Sequence, residues 1–351
     1  MILEQSYAKE WISKKASEIG KRGDPKILEK VIRAFSLLEQ IQVEAIPLVF
    51  KGGTSLLLHL DPPQRFSIDI DLIIPLVPEK LFPVFDKIIE KSLFTSWKDD
   101  SERKHKTNAP VGHYKFYYKS AIDSNFGEEP ILLDVLFSES YYPTTIGKNI
   151  AHKWLLTEEP LTQVKVPNIE SILGDKLTAF APITIGILYT KNRPVEIIKQ
   201  LFDIAALFDK AQNFKIVKDS YIKISEEEIK FRELKITWKD SLNDTFKAAN
   251  TIALRDTTNE YFRHLQTGIS NIVNFILTRF TIEEAITCAS KAAYMAILLQ
   301  KNEIPKIERY TNPAQIKDFE IINPDYNKLN RLKKTNPEAF YYFYRAVMLI
   351  I

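Results

Sequence analysis

Two aspartates, Asp69 and Asp71, sit two residues apart in R-F-S-I-D-I-D-L-I-I (65–74), a stretch whose polar and apolar residues alternate before Pro75. Alternation of period two predicts a half-buried strand, on which residues i and i+2 share a face. Two carboxylates on one face disfavour each other's ionisation unless a cation lies between them. A site made only of oxygen ligands suits Mg2+ or Mn2+ better than zinc. On its own, an Asp-x-Asp pair also suits a solvated edge strand.

Upstream, I-P-L-V-F-K-G-G (46–53) reads as a short apolar strand that stops at Gly52 and Gly53, and T-S-L-L-L-H-L (54–60) reads as the first turns of a helix. Glycines there let the backbone come close to a phosphate at a helix N-terminus, with Thr54 and Ser55 as nearby hydroxyl donors. Paired glycines also serve as a plain turn. A third acid, Asp134, interrupts the apolar run I-L-L-D-V-L-F (131–137), where a charge is costly unless it meets a metal or a partner. Three carboxylates on two strands beside a glycine turn are what phosphoryl transfer requires: metals bridge the triphosphate, activate the attacking oxygen and neutralise the departing pyrophosphate.

Two further residues lie in helical segments. Lys176 belongs to N-I-E-S-I-L-G-D-K-L-T-A-F-A (168–181), where Ile172, Leu173 and Leu177 face a core and leave Asp175 and Lys176 near the margin. A lysine there supplies a point charge to a phosphate or is simply solvated. Asp203 lies among Phe202, Ile204 and Leu207 and needs a partner, for which Lys176 is a candidate.

The elements that must position these residues fall into two halves. The segment 26–42 places Ile27, Leu28, Val31, Ile32, Phe35, Leu37 and Leu38 on a helical stripe. Residues 79–91 read as helix, 113–121 as strand and 131–137 as strand. From Asn168 the periodicity becomes helical throughout, in 168–181, 194–211, 238–254, 258–277 and 281–300. The expected fold is α+β: a lobe over 1–165 with a mixed sheet and N-terminal helices, then an all-α domain over 166–351, with the boundary at V-K-V-P-N. Both lobes are expected to flank the substrate, with Lys176 and Asp203 reaching in from the helical side.

Composition narrows the field. At 351 residues with 45% hydrophobic and 26% charged residues, the chain resembles an ordinary folded protein of about two domains. A net charge of +3 excludes a global basic field, so RNA contact must come from local patches. Cys288 is the single cysteine, which excludes an intrachain disulfide or a thiolate zinc cluster and fits a reducing, cytoplasmic setting. The first residues lack the apolar stretch of a signal peptide and no run reaches membrane-spanning length, so no membrane partner is expected. His59, His105, His113, His152 and His264 show no ligand spacing, and no histidine metal site is expected. Basic K-H-K (104–106) and R-L-K-K (331–334) offer RNA phosphate contacts or plain solvated surface, and F-Y-Y-F-Y-R (340–345) offers base stacking or a buried terminal helix.

Taken together, K-G-G-T-S-L (51–56), R-F-S-I-D-I-D-L (65–72), L-D-V-L-F (133–137), G-D-K-L-T-A (174–179) and L-F-D-I (201–204) resemble the AbiEii nucleotidyltransferase toxins of the abortive-infection and type IV toxin–antitoxin class. The resemblance covers about residues 50–205. It implies a polymerase-β-like nucleotidyltransferase lobe followed by a helical domain. It also implies metal-dependent transfer of NMP from an NTP with release of pyrophosphate, for some members onto the 3′ end of tRNA, and a cognate antitoxin. Position by position, Ser67 and Asp69 match the family's strand motif, Lys176 its lysine motif and Asp203 its last acid, while Asp71 completes the metal pair with Asp134 as third ligand. Gly52, Gly53, Thr54, Ser55, Arg65, Ser67 and Lys176 are then the nucleotide contacts. The fourteen residues between Thr54 and Asp69 make a longer link than in many small nucleotidyltransferases, and Thr54 stands where serine is common. A protein or small-molecule acceptor, or a non-catalytic NTP- or RNA-binding module, is the alternative.

Overall fold

The structure, a computed structural model, describes residues 1–101, 108–122 and 127–350. The basic K-H-K triplet at 104–106, with His105, lies outside the described residues. The chain divides into two compact units: 1–168 with 274–278, and 169–273 with 279–351.

The first unit is α+β, as the sequence predicts. Helices α1 (Lys9–Ile19) and α2 (Pro25–Val43) precede β1 (Val49–Lys51), a one-turn helix α3 (Gly52–Ser55) and β2 (Ile70–Ile73). Then come α4 (Phe82–Lys91), β3 (Phe94–Asp99), β4 (Val111–Lys119), β5 (Glu128–Leu136) and the hairpin β6 (Thr145–Asn149) with β7 (Gln163–Pro167). Asp24 caps α2, its carboxylate accepting from the amides of Lys26 at 2.8 Å and Ile27 at 3.3 Å, with Pro25 at the first helical position. The main sheet has the order β1-β2-β5-β4-β3 and is mixed: β2 and β5 run parallel, the other neighbours antiparallel.

Alternation along β4 decides which face is the core. Gly112, Tyr114, Phe116 and Tyr118 are buried, while His113, Lys115 and Tyr117 are only half-buried. On the core face Phe85 of α4 meets Tyr114 and Phe116 edge-on, both with ring centroids 5.0 Å apart. Helix α2 is buried nearly all round, not along one stripe. Its Glu29 is 1% exposed and takes the Ala121 amide at 2.8 Å, and its Glu39, 3% exposed, takes the Ile2 amide at 2.9 Å. Such buried carboxylates persist because backbone amides and hydroxyls, and for Glu29 the Arg33 guanidinium at 3.6 Å, replace the water they lose.

Two expectations change here. The strand expected over 65–74 is regular only from Ile70 to Ile73; Arg65 forms an isolated bridge with Ile276, and Asp69 lies in the approach to the strand. The helix expected over 258–277 stops at Asn271, after which the Phe66 amide bonds to Phe275 O at 2.8 Å and the Leu277 amide to Gln64 O at 3.0 Å. Those backbone bonds give 274–278 to the first unit.

The second unit is helical: α5 (Ile169–Ala179), α6 (Pro194–Lys210), α7 (Phe214–Phe231), α8 (Trp238–Leu254), α9 (Glu260–Asn271), α10 (Ile282–Leu298), α11 (Leu332–Thr335) and α12 (Pro337–Ile350). Gly174 lets α7 cross α5 closely, since a Cβ there would stand 2.8 Å from Val217 O. In α12 the rings of Phe340, Tyr341, Tyr342 and Phe343 are at most 2% exposed, so the aromatic run is core. In the R-L-K-K segment Arg331 donates to the carbonyls of Ala253 and Leu254, and Lys333 donates to those of Lys317 and Phe319 at 2.8 Å. Both side chains therefore tie backbone together. Among the described residues no helix is long and apolar enough to cross a membrane.

Candidate active site

Strand register assembles the site. Lys51 of β1 stands opposite Asp71 of β2, Asp71 opposite Asp134 of β5, and Asp134 opposite His113 of β4. Residues paired in register point to the same side of a sheet, so a cation, two carboxylates and an imidazole form one row across the half-exposed face. Asp134 Oδ1 is 2.6 Å from His113 Nδ1, a short charge-assisted hydrogen bond that orients the carboxylate. Asp69 sits two residues upstream of Asp71 and is exposed. Strand geometry therefore brings Asp71 and Asp134 together, while the loop before β2 places Asp69.

The glycine turn closes over this row. Gly52 has φ of 77°, in the left-handed region, and a Cβ there would fall 1.9 Å from Asp71 Oδ2. Only glycine fits both the backbone and the neighbouring carboxylate. At Gly53 a Cβ would meet an Arg65 guanidinium nitrogen at 2.6 Å and Ser67 Oγ at 2.7 Å. The turn thus has a carboxylate against its first glycine and a cation with a hydroxyl against its second.

Thr54 and Ser55 serve differently from the expectation of phosphate contact. Both are 0% exposed. Thr54 Oγ1 donates to Asp69 O at 2.5 Å and lies 3.0 Å from Ser67 Oγ, while Ser55 Oγ donates to Gly52 O at 2.9 Å. These hydroxyls hold the turn and the approach to β2 together. Arg65, 7% exposed, donates to Phe66 O at 2.9 Å.

In the second unit Lys176 and Asp203 form an ion pair, Nζ to Oδ2 at 3.0 Å, with Gln200 Oε1 also 3.0 Å from Nζ. Lys176 is 5% and Asp203 2% exposed, so Lys176 lies on a buried face of α5 rather than at its margin. Its burial is possible because Asp203 and Gln200 occupy its donors. Among the described residues no three His, Cys, Asp or Glu side chains already surround one point as a finished metal site. The donor set of Asp71 and Asp134, both oxygen ligands adjacent in register with Asp69 just upstream, nevertheless fits a hard divalent cation.

Sequence reasoning missed His113 and Lys51. Lys51 was legible as the residue before the glycines. His113 has no sequence signal, because it meets Asp134 only through the β4–β5 register.

A mixed sheet that sets paired carboxylates against a double-glycine turn combines the oxygen ligands and the close backbone approach that nucleotidyl transfer uses. The family model "Nucleotidyl transferase AbiEii toxin, Type IV TA system" matches residues 36–273, and the chain belongs to that family. It is a nucleotidyltransferase of a toxin–antitoxin class whose members use an NTP and generally a divalent metal, and which implies a cognate antitoxin. No curated protein matches the chain. Among solved structures, one assigned provisionally as a nucleotidyltransferase from H. pylori is 17% identical with TM-score 0.42, over 78% of this chain and 92% of that one. An antigenic nucleotidyltransferase-like protein from Paracoccidioides brasiliensis is 14% identical with TM-score 0.36, over 60% of this chain and 94% of that one.

Proposed function

We propose that this protein transfers NMP from an NTP to the 3′ end of an RNA, tRNA being the favoured acceptor, with Mg2+ or Mn2+ held by Asp69, Asp71 and Asp134. The register pairing of Asp71 with Asp134 against Gly52 is the observation that supports it most. A divalent cation bound there supplies Lewis acidity toward the α-phosphate and lowers the pKa of an acceptor hydroxyl.

The remaining work falls to side chains of the protein. Asp134, hydrogen-bonded to His113, is proposed to receive the proton of the attacking hydroxyl. Gly52 and Gly53 keep the turn free of side chains so that the β- and γ-phosphates approach the backbone, beside Arg65 and Ser67. Thr54 and Ser55 fix the shape of that turn. A role for Lys176 and Asp203 in the reaction is also proposed, on their match to the family's lysine and last-acid motifs. The toxic effect, a cytoplasmic setting and direct control by an antitoxin complete the proposal.

The test is incubation of the protein with each α-labelled NTP, Mg2+ and total RNA. Label in RNA that is released by 3′ exonuclease supports the proposal. Label on protein or a small molecule replaces the acceptor, and no label anywhere with intact NTP binding makes the chain a binding module.

A further inference from the structure

Lys51 is the cation of the carboxylate row and has no part in the reaction proposed above. It ends β1 directly opposite Asp71 and is followed at once by the Gly52–Gly53 turn. Opposed residues of an antiparallel pair have Cβ atoms about 5 Å apart, a gap that a four-carbon lysine stem spans. The Asp71 carboxylate also lies against that turn, since a Cβ on Gly52 would fall 1.9 Å from its Oδ2. Lys51 therefore has a carboxylate across the sheet and a bare backbone turn beside it in the chain.

Arg65 and Lys176 are both fixed by their surroundings. Arg65 is 7% exposed and donates to Phe66 O at 2.9 Å. Lys176 is 5% exposed, with its Nζ held by Asp203 and Gln200, both at 3.0 Å. Lys51 is only half-buried, and a lysine carries its charge as a compact point on a flexible stem. Its register partner Asp71 is one of the acids assigned to the metal, and a divalent cation on that carboxylate repels an ammonium beside it.

We propose that Lys51 is a further catalytic residue with two positions. In the metal-free protein it neutralises Asp71; with the cation bound it swings over Gly52 and Gly53 to the β- and γ-phosphates of the NTP. The acceptor oxygen then bonds to the α-phosphorus, its proton passes to Asp134, and the bond from the α-phosphorus to the bridging oxygen breaks with the electron pair leaving on pyrophosphate. Lys51 balances that departing charge. This inference rests on the carboxylates being the metal site, and its test keeps the two separable.

Variants of the full-length chain tell these positions from a structural role. Lys51→Met keeps an unbranched stem at the half-buried position, and Lys51→Arg restores a cation. Mn2+ binding without nucleotide is followed by electron paramagnetic resonance, and binding of inorganic tripolyphosphate is measured by calorimetry at saturating Mn2+. Lys51→Met is expected to bind Mn2+ about fivefold more tightly, because a competing cation is gone. It is expected to bind tripolyphosphate about tenfold more weakly, because a charged donor is gone. Lys51→Arg should regain part of the tripolyphosphate affinity. A damaged fold weakens both ligands together, so the opposite signs mark the proposed role; should Lys51→Met fail to fold, Lys51→Gln carries the same two expectations. Unchanged or weaker Mn2+ binding in the neutral variant would overturn the inference, as would unchanged tripolyphosphate affinity. A parent protein that binds neither Mn2+ nor tripolyphosphate would instead overturn the metal-site reading, and the inference with it.

Discussion

Asp71 and Asp134 stand opposite each other on β2 and β5, the parallel pair within an otherwise antiparallel sheet. A parallel pair needs a crossover, and here α4, β3 and β4 supply it. The chain between the two acids therefore builds the neighbouring strands, including the one that brings His113 to Asp134.

The first prediction concerns the turn. Gly52→Ala forces a Cβ into the Asp71 carboxylate and a left-handed φ onto alanine, whereas Gly127, with φ of 78° and nothing within 4 Å of its would-be Cβ, bears only the backbone strain. Both changes should cost about 1–2 kcal/mol from φ alone. Transferase activity should collapse only in Gly52→Ala, with Gly127→Ala near the parent rate in the same labelled-NTP assay.

His113 is expected to act through Asp134. Replacing it with leucine should weaken Mn2+ binding by about 10- to 100-fold, the usual scale for losing a group that orients a metal ligand. His113→Gln, which keeps a donor, should recover part of the loss. Equal Mn2+ affinity in the parent and His113→Leu would show that the hydrogen bond has no bearing on the cation.

For the buried pair, stability and activity should separate. Lys176→Met leaves Asp203 uncompensated and should destabilise the protein by about 3–5 kcal/mol, while Lys176→Met with Asp203→Leu should regain most of that. If the pair takes part in the reaction, the double variant folds and remains inactive. Activity in the refolded double variant would reduce the pair to a packing device.

Histidine burial sets a pH dependence of stability. Burial pushes His59 and His152 down to about 4 from an ordinary 6.5, and His152 packs against Trp154 at 4.5 Å and Phe35 at 6.2 Å. Unfolded, each binds a proton near pH 6.5, so the unfolded chain holds more protons between pH 6.5 and 4. Their contribution is complete above 6.5 and is lost as pH falls toward 4, by up to about 3 kcal/mol each. Urea midpoints should therefore drop from pH 7 to pH 5, and His152→Phe should flatten that slope.

Much of this site was legible before the structure. The Asp-x-Asp alternation, the glycines at 52 and 53 and the lone acid in 131–137 each carry a local physical signal, and α8 covers the very residues, Trp238–Leu254, whose helical periodicity predicts it. Other parts depend on contacts distant in sequence. The strand at Asp69 is cut short where Thr54 takes the Asp69 carbonyl, and the helical pattern through 271–277 gives way where Phe275 and Leu277 meet Phe66 and Gln64. The burial of Lys176 likewise follows from Asp203 and Gln200 on another helix, which no local periodicity reveals.

The most direct measurement is Mn2+ binding followed by electron paramagnetic resonance, in the presence of a non-hydrolysable NTP analogue, for the parent protein and Asp71→Asn. The carboxylate row predicts that Asp71→Asn binds Mn2+ at least about tenfold more weakly while the protein remains folded. Equal Mn2+ affinity in the two proteins would contradict the assignment of these acids as the metal site.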